Sequence, residues 1–161
     1  MPANRATAGR LLGADDPPPV RVLRPEGRSD FLLTADHAGR AIPRRLGTLG
    51  LPDSELARHI AWDIGIAGVT ERLSEALGAA TVLQNYSRLV IDCNRQPMLD
   101  SSIPTLSERT AIPGNEGLSA AEREARRQKI FLPYHECIEE LLGQRRAAGR
   151  RIVLVAMHSF T

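Results

Sequence analysis

Two of the four histidines in this 161-residue chain stand at the ends of short apolar runs. His37 comes just after Phe31-Leu32-Leu33-Thr34-Ala35, with Asp36 between, and His158 directly follows Ile152-Val153-Leu154-Val155-Ala156-Met157. A strand that ends this way delivers an imidazole to the edge of a sheet. Neutral imidazole is a common zinc ligand, and two strand-end histidines converge if their strands are neighbours. A catalytic zinc takes three protein ligands and a water, so a third side chain is needed. Asp63 is the leading candidate. On a helix starting near Ile60 it shares the stripe of Ile66, Ala67 and Thr70 and points inward, where a carboxylate needs a cation or several donors. The competing reading of Asp63 is a helix cap. His59, four residues earlier, can share a metal on the same helical face; its competing reading is a surface or packing histidine. His37 and His158, taken singly, read as histidines satisfied by nearby backbone. Together they point to a metal or acid–base site.

A second constellation could bind a carboxylate. If Leu89-Val90-Ile91 is a strand, two-residue alternation puts Arg88, Asp92 and Asn94 on one side of a pocket, with Arg95 just beyond. The planar fork of arginine suits a substrate carboxylate. For Asp92 an internal brace with an arginine is an equal alternative. His135 borders the stripe of Phe131, Ile138 and Leu142 and reads first as a core histidine, with an acid–base role as its alternative. Cys93 and Cys137 make no disulfide framework; they read as apolar fillers in a protein of the reducing cytoplasm. No Gly-rich phosphate loop, serine elbow or Cys-x-x-Cys pair is present.

These residues need a scaffold. Strands alternating with helices predict an α/β sandwich with a mainly parallel sheet, whose chemistry gathers beyond the carboxyl ends of the strands. Residues 1–28, rich in Pro, Gly, Asp and Arg, read as a flexible arm with a short edge segment at 20–23, and residues 29–161 as the domain. Ile66, Val69, Leu73, Ala76 and Leu77 keep helical spacing, and Gly78 ends that helix. A strand is expected over 80–83 and a long functional loop over 96–118. Ser119-Ala120-Ala121-Glu122 is a capping box, and Pro133 should kink or restart the helix that follows. The run ending at His158 should be a buried strand.

Composition narrows the classes of partner. Lys plus Arg is 21 against 19 Asp plus Glu, a net charge of +2, and aromatics are 4% of the chain. Residues 123–129 and 145–151 read as solvated helix faces, so no nucleic-acid surface is expected. No apolar run approaches the roughly 20 residues that span a bilayer, and Leu11-Leu12 is too short for the core of a secretory signal.

In order along the chain, Asp36-His37-Ala38-Gly39-Arg40 with Ile42-Pro43, His59-Ile60-Ala61-Trp62-Asp63-Ile64-Gly65, and Tyr86-Ser87-Arg88-Leu89-Val90-Ile91-Asp92-Cys93-Asn94-Arg95 resemble the N-formylglutamate amidohydrolase family. Ile112-Pro113-Gly114-Asn115, Pro133-Tyr134-His135 and His158-Ser159-Phe160-Thr161 complete the resemblance. It implies a three-layer α/β/α hydrolase, of the phosphorylase/hydrolase-like class, related to zinc carboxypeptidases and aspartoacylases. It further implies zinc-dependent cleavage of the amide of an N-formyl or N-acyl amino acid. By carry-over His37, His158 and Asp63 are metal ligands, and Arg88, Asn94 and Arg95 clamp the substrate carboxylate. Asp92 orients an arginine, while Tyr134 or His135 encloses the site. Two departures stand out: His37 plus three is Arg40 rather than the Glu of a His-x-x-Glu pair, and Ser107-Glu108-Arg109-Thr110 replaces a Ser-Asp-Gly-Thr-like turn. Family members continue well past the His-Ser-Phe motif, so the chain is expected to be the amino-terminal part of the family domain. The general acid/base is then expected beyond Thr161, and a catalytically silent metal- or carboxylate-binding fragment is the alternative function.

Overall fold

The structure, a computed structural model, describes residues 10–160; residues 1–9 of the expected arm and the closing Thr161 lie outside the described residues. Four strands form one sheet in the order β1-β3-β2-β6: β1 (Val20–Leu23), β2 (Phe31–Ala35), β3 (Ala80–Gln84) and β6 (Val153–Ala156). β2 runs parallel to both neighbours, with Leu32 beside Ala80 and Thr34 beside Ala156, while β1 is antiparallel to β3. The sheet is mixed, with two of its three pairings parallel, in line with the mainly parallel sheet that the alternation of elements predicts.

All five residues of β3 are buried, which explains its continuous apolar and β-branched run without polar alternation. Its two faces serve two layers. Leu32, Ala80 and Val82 join the larger core with Ile130, Tyr134 and Leu141, from the helices that follow β3. Ala35 and Leu83 meet Ile66 of α2 (Ile66–Leu77), which follows the single turn α1 (Asp53–Leu56), on the other face. The crossover from β2 to β3 thus runs over one face and that from β3 to β6 over the other. The chain reverses direction across the sheet at β2, and such a switch point opens a crevice at the strand's carboxyl end. His37 and His158 leave β2 and β6 at that end.

Several elements differ from the sequence reading. α2 starts at Ile66, not near Ile60, so Asp63 lies in the preceding turn, with its backbone N–H donated to the His37 carbonyl at 2.9 Å. α2 also buries Ile66, Thr70 and Ser74 and leaves Val69 and Leu77 exposed, because the small side chains let it sit close to the sheet. Gly78 closes it at φ 59°, in the left-handed region. Residues 89–91 are not a strand but a buried turn. The run is too short for periodicity to separate strand from turn, and its backbone is satisfied by side chains from afar.

The arginine-rich helical stretch is not wholly solvated either. α3 (Ala120–Arg126) opens with the expected capping box at Ser119, and its last residue, Arg126, is buried. A π-type turn over Arg127–Phe131 then leads into α4 (Leu132–Ala147), with Pro133 in its first turn, where Arg145 is also buried. Both arginines donate to backbone carbonyls: Arg126 to Val90 and Gly114, Arg145 to Gly27 and Ser29. Segments far off in the chain present those acceptors, so the helical pattern alone could not show them.

β6 departs from the expected buried strand, with Val153 40% and Leu154 51% exposed. Among the described residues only β2 pairs with it. Residues 10–28 hold β1; Leu11 reaches the core, and the Pro17 and Pro18 carbonyls accept hydrogen bonds from Tyr86 and Asn85. Among the described residues no helix is long and apolar enough to cross a membrane.

Candidate functional site

His37 is buried at the end of β2, its ring held between two carboxylates. Its Nε2 lies 2.7 Å from Asp92 Oδ1, and its Nδ1 lies 3.5 Å from Asp63 Oδ1. That Nδ1 is buried and has no hydrogen-bond partner. His158, from the neighbouring strand, brings its own Nδ1 to 3.1 Å from Asp63 Oδ2, and the Ser159 N–H donates to the same oxygen at 3.2 Å. Ligand-capable atoms of His37, Asp63 and His158 all lie within 4.8 Å of one another. The three residues singled out in the sequence as candidate ligands therefore converge. Parallel neighbours with Thr34 level with Ala156 bring both strand ends out at the same height.

Asp63 is positioned by a turn, not a helical stripe. The turn is anchored from below, where Ser87 Oγ donates to the Ala61 carbonyl at 2.7 Å and the Arg88 N–H to the same oxygen at 3.3 Å. Arg88 then spans two of the carboxylates, at 3.5 Å from Asp63 and 3.3 Å from Asp92. Arg88 and Asp92 were grouped by strand alternation; they meet instead across a turn, four residues apart. Burial pushes the Asp92 carboxyl up, but the hydrogen bond and charge of His37, the Asn94 N–H and Arg88 outweigh it and hold Asp92 below the usual range.

The alternative ligand His59 is elsewhere: its Nε2 lies 2.7 Å from Glu108 Oε1. His135 does not join the cluster. Its Nε2 meets the Cys93 carbonyl at 2.9 Å and its ring stacks on Phe131 at 4.3 Å. Asn94 is exposed and bonds Asp92 through its backbone N–H. Cys93 and Cys137 are free, and burial pushes both thiols up, which suits packing rather than nucleophilic attack. The sequence places Asp36 in the motif at the strand exit that carries His37 but assigns it no role. The Asp36 carboxylate accepts a hydrogen bond from the Tyr134 hydroxyl and lies 3.7 Å from His158 Nε2. Only the later pairing of β2 with β6 reveals that contact.

Beside the cluster opens a cleft of about 480 Å³ that shares Arg88 and Asp92 with it. Arg95 lines the cleft; its side chain is 56% exposed and reaches Asp92 only at 3.8 Å. The facing wall is a hairpin of β4 (Leu106–Ser107) and β5 (Thr110–Ala111), within the expected long loop. Glu108 turns the hairpin at φ 53°, where a side chain is strained by roughly 1 kcal/mol or more. It is held there by Arg58 at 2.7 Å and by His59, whose hydrogen bond is the main influence keeping its carboxyl below the usual range.

Three carboxylates around two imidazoles, with one bridging arginine, leave the cluster rich in negative charge. Such a set suits a cation at its centre. The family model described as N-formylglutamate amidohydrolase matches residues 29–161. The chain belongs to that family. It is 28% identical over 146 residues to the N-formylglutamate deformylase of Pseudomonas aeruginosa, covering 83% of this chain and 53% of that enzyme. Among solved structures, the gene product Atu2144 from Agrobacterium tumefaciens superposes with a TM-score of 0.91 at 42% identity, over 94% of this chain and 60% of that one. The N-formylglutamate amidohydrolase from Ralstonia eutropha shares the fold, with a TM-score of 0.65 at 22% identity over 88% of this chain and 57% of that one. This family member spans about half the length of its curated relative and three-fifths of these structures.

Proposed function

We propose that the chain carries the metal-binding part of a zinc-dependent amidohydrolase that cleaves the amide of an N-formyl or other N-acyl amino acid, such as N-formylglutamate. The observation that carries this reading is the buried, unbonded Nδ1 of His37 facing Asp63, with the Nδ1 of His158 on the same carboxylate. An unbonded polar atom in a buried site costs free energy unless a ligand occupies it. His37, Asp63 and His158 would hold the ion. Zinc there supplies Lewis acidity and lowers the pKa of a water toward about 7.

The remaining residues bind and orient. Asp92 fixes the His37 ring through Nε2, leaving Nδ1 directed at the ligand position. Arg88 is braced by Asp63 and Asp92 and sits between cluster and cleft. Arg95, exposed and weakly paired, keeps its fork available for a substrate carboxylate, with Asn94 beside it. A substrate lying in the cleft with its carboxylate on Arg95 would direct its acyl end toward the histidines. Both cysteines are free, in keeping with a reducing, cytoplasmic setting.

Formate release from N-formylglutamate tests the reading. Turnover is expected with zinc, lost with a chelator and absent in His158→Ala. Undiminished turnover in metal-stripped protein would overturn it. The same buried cluster also admits a second reading, a catalytically silent metal- or carboxylate-binding fragment of that fold; zinc uptake without turnover would select it.

A further inference from the structure

Each histidine of the cluster lies between two carboxylates. Asp63 faces both rings on the Nδ1 side, whereas the outer, Nε2 side meets Asp92 for His37 and Asp36 for His158. The two outer contacts differ in tightness, at 2.7 Å for Asp92 and 3.7 Å for Asp36. Asp92 is fixed by Arg88 and the Asn94 N–H. Asp36 is fixed from another direction, by the hydroxyl of a tyrosine that comes from across the sheet.

Tyr134 is wholly buried, on α4 in the larger core, and its hydroxyl donates to Asp36 Oδ1. A buried phenol needs an acceptor, and a backbone carbonyl would serve for packing alone. Here the acceptor is a carboxylate whose other oxygen faces a candidate metal ligand. The π-type turn over Arg127–Phe131 lies just before Tyr134. Such turns add a residue to the helical repeat and so change the direction of the side chains after them.

We infer that Asp36 and Tyr134 are positioning residues for the metal site. Tyr134 holds the Asp36 carboxylate, and Asp36, at an ion-pair distance of 3.7 Å from His158 Nε2, favours the ring with its Nε2 proton outward and its Nδ1 toward Asp63. An outer carboxylate fixes the tautomer and raises the basicity of a ligating imidazole, and losing such a partner commonly weakens metal binding 10- to 100-fold. The assignment rests on the metal reading of the cluster and adds to it the ligating atom of His158 and the two residues that select it.

Zinc affinity, measured by competition with a chromophoric chelator, tests it in the chain and in Tyr134→Phe and Asp36→Asn. Tyr134→Phe keeps the buried ring, and Asp36→Asn keeps the shape of the side chain. Each variant is expected to bind zinc about 10- to 100-fold more weakly, with the zinc-free protein keeping its fold by circular dichroism at the temperature of the titration. In ¹⁵N spectra of the zinc-loaded chain, His158 is expected to coordinate through Nδ1 and keep a proton on Nε2. Unchanged affinity in both variants, or coordination through Nε2, would overturn the inference and leave the metal reading intact. A parent chain that takes up no zinc would overturn both.

Discussion

The floor of the site and the rim of its cleft are built by opposite means. On the floor, His37 and Asp92 are buried, and the turn beneath them is bonded throughout by the interior: Ser87 takes the Leu89 N–H, Asn115 donates to the Leu89 carbonyl, and Arg126 to that of Val90. At the rim, Glu108 sits at a strained turn, held by exposed partners, Arg58 and His59. Burial makes each floor contact strong and costly to lose, whereas water screens the rim. The ligand-capable groups are thus held rigidly, and the wall across from Arg95 by contacts that water weakens.

The largest effect should come from removing the floor's buried cation. Burial pushes the Arg126 guanidinium down to about 10, and its hydrogen bonds run to Val90, Asn115 and Gly114. Arg126→Met leaves those acceptors unpaired, and the chain is expected to lose about 3 kcal/mol or more in urea unfolding, at roughly 1–3 kcal/mol per buried unpaired group. A loss no larger than that of a surface substitution would erase the contrast between floor and rim.

Ser87→Ala should follow, at about 1–2 kcal/mol, because it strips one bond from the Ala61 carbonyl and one from the Leu89 N–H, both buried. Differential melting would read this, and zinc affinity should fall with it, since the same hydroxyl anchors the turn that carries Asp63.

How much of this was legible in the sequence depends on the same contrast. His37 and His158 could be singled out because a strand end is a local feature, and parallel pairing then brought them level. Asp63 was found by its type and inward direction, though the element carrying it is a turn. The run at residues 89–91 misled, because three apolar residues look alike in a strand and in a buried turn. What settles the matter is Asn115 and Arg126, contributed from 26 and 36 residues later in the chain. Arg126 itself read as solvated, since helical periodicity in a charged run does not reveal which arginine meets a carbonyl. Asp36 stands in a recognisable motif, but its role is not legible there because its partners come from β6 and α4, far along the chain.

At the rim the effects turn from stability to binding. Arg95→Ala should leave unfolding within about 0.5 kcal/mol, since the side chain is mostly exposed. It should raise KM for N-formylglutamate roughly tenfold or more, the value of one charge-assisted hydrogen bond. A fall in stability with unchanged KM would move Arg95 from the rim to the scaffold.

The smallest effect is expected at Glu108. Its folded-state pKa lies below the ordinary 4.5, as does that of Glu55, which Thr110 and Arg58 hold down by hydrogen bonds. A depressed carboxylate stabilises the hairpin above its unfolded value and ceases to do so as pH falls through the folded one. Amide exchange over residues 106–111, corrected for intrinsic rates, should therefore quicken as pH drops below about 4.5, and in Glu108→Gln at neutral pH. Equal protection at both pH values would mean that the turn holds without its ion pairs.

Calorimetric titration of zinc into the metal-free chain, beside His37→Ala and His158→Ala, bears most directly on the central claim that His37, Asp63 and His158 form one metal site. The account predicts one zinc per chain and loss of that binding in either variant. Zinc taken up with the same stoichiometry and affinity by both variants, or not taken up by the parent chain at all, would contradict it.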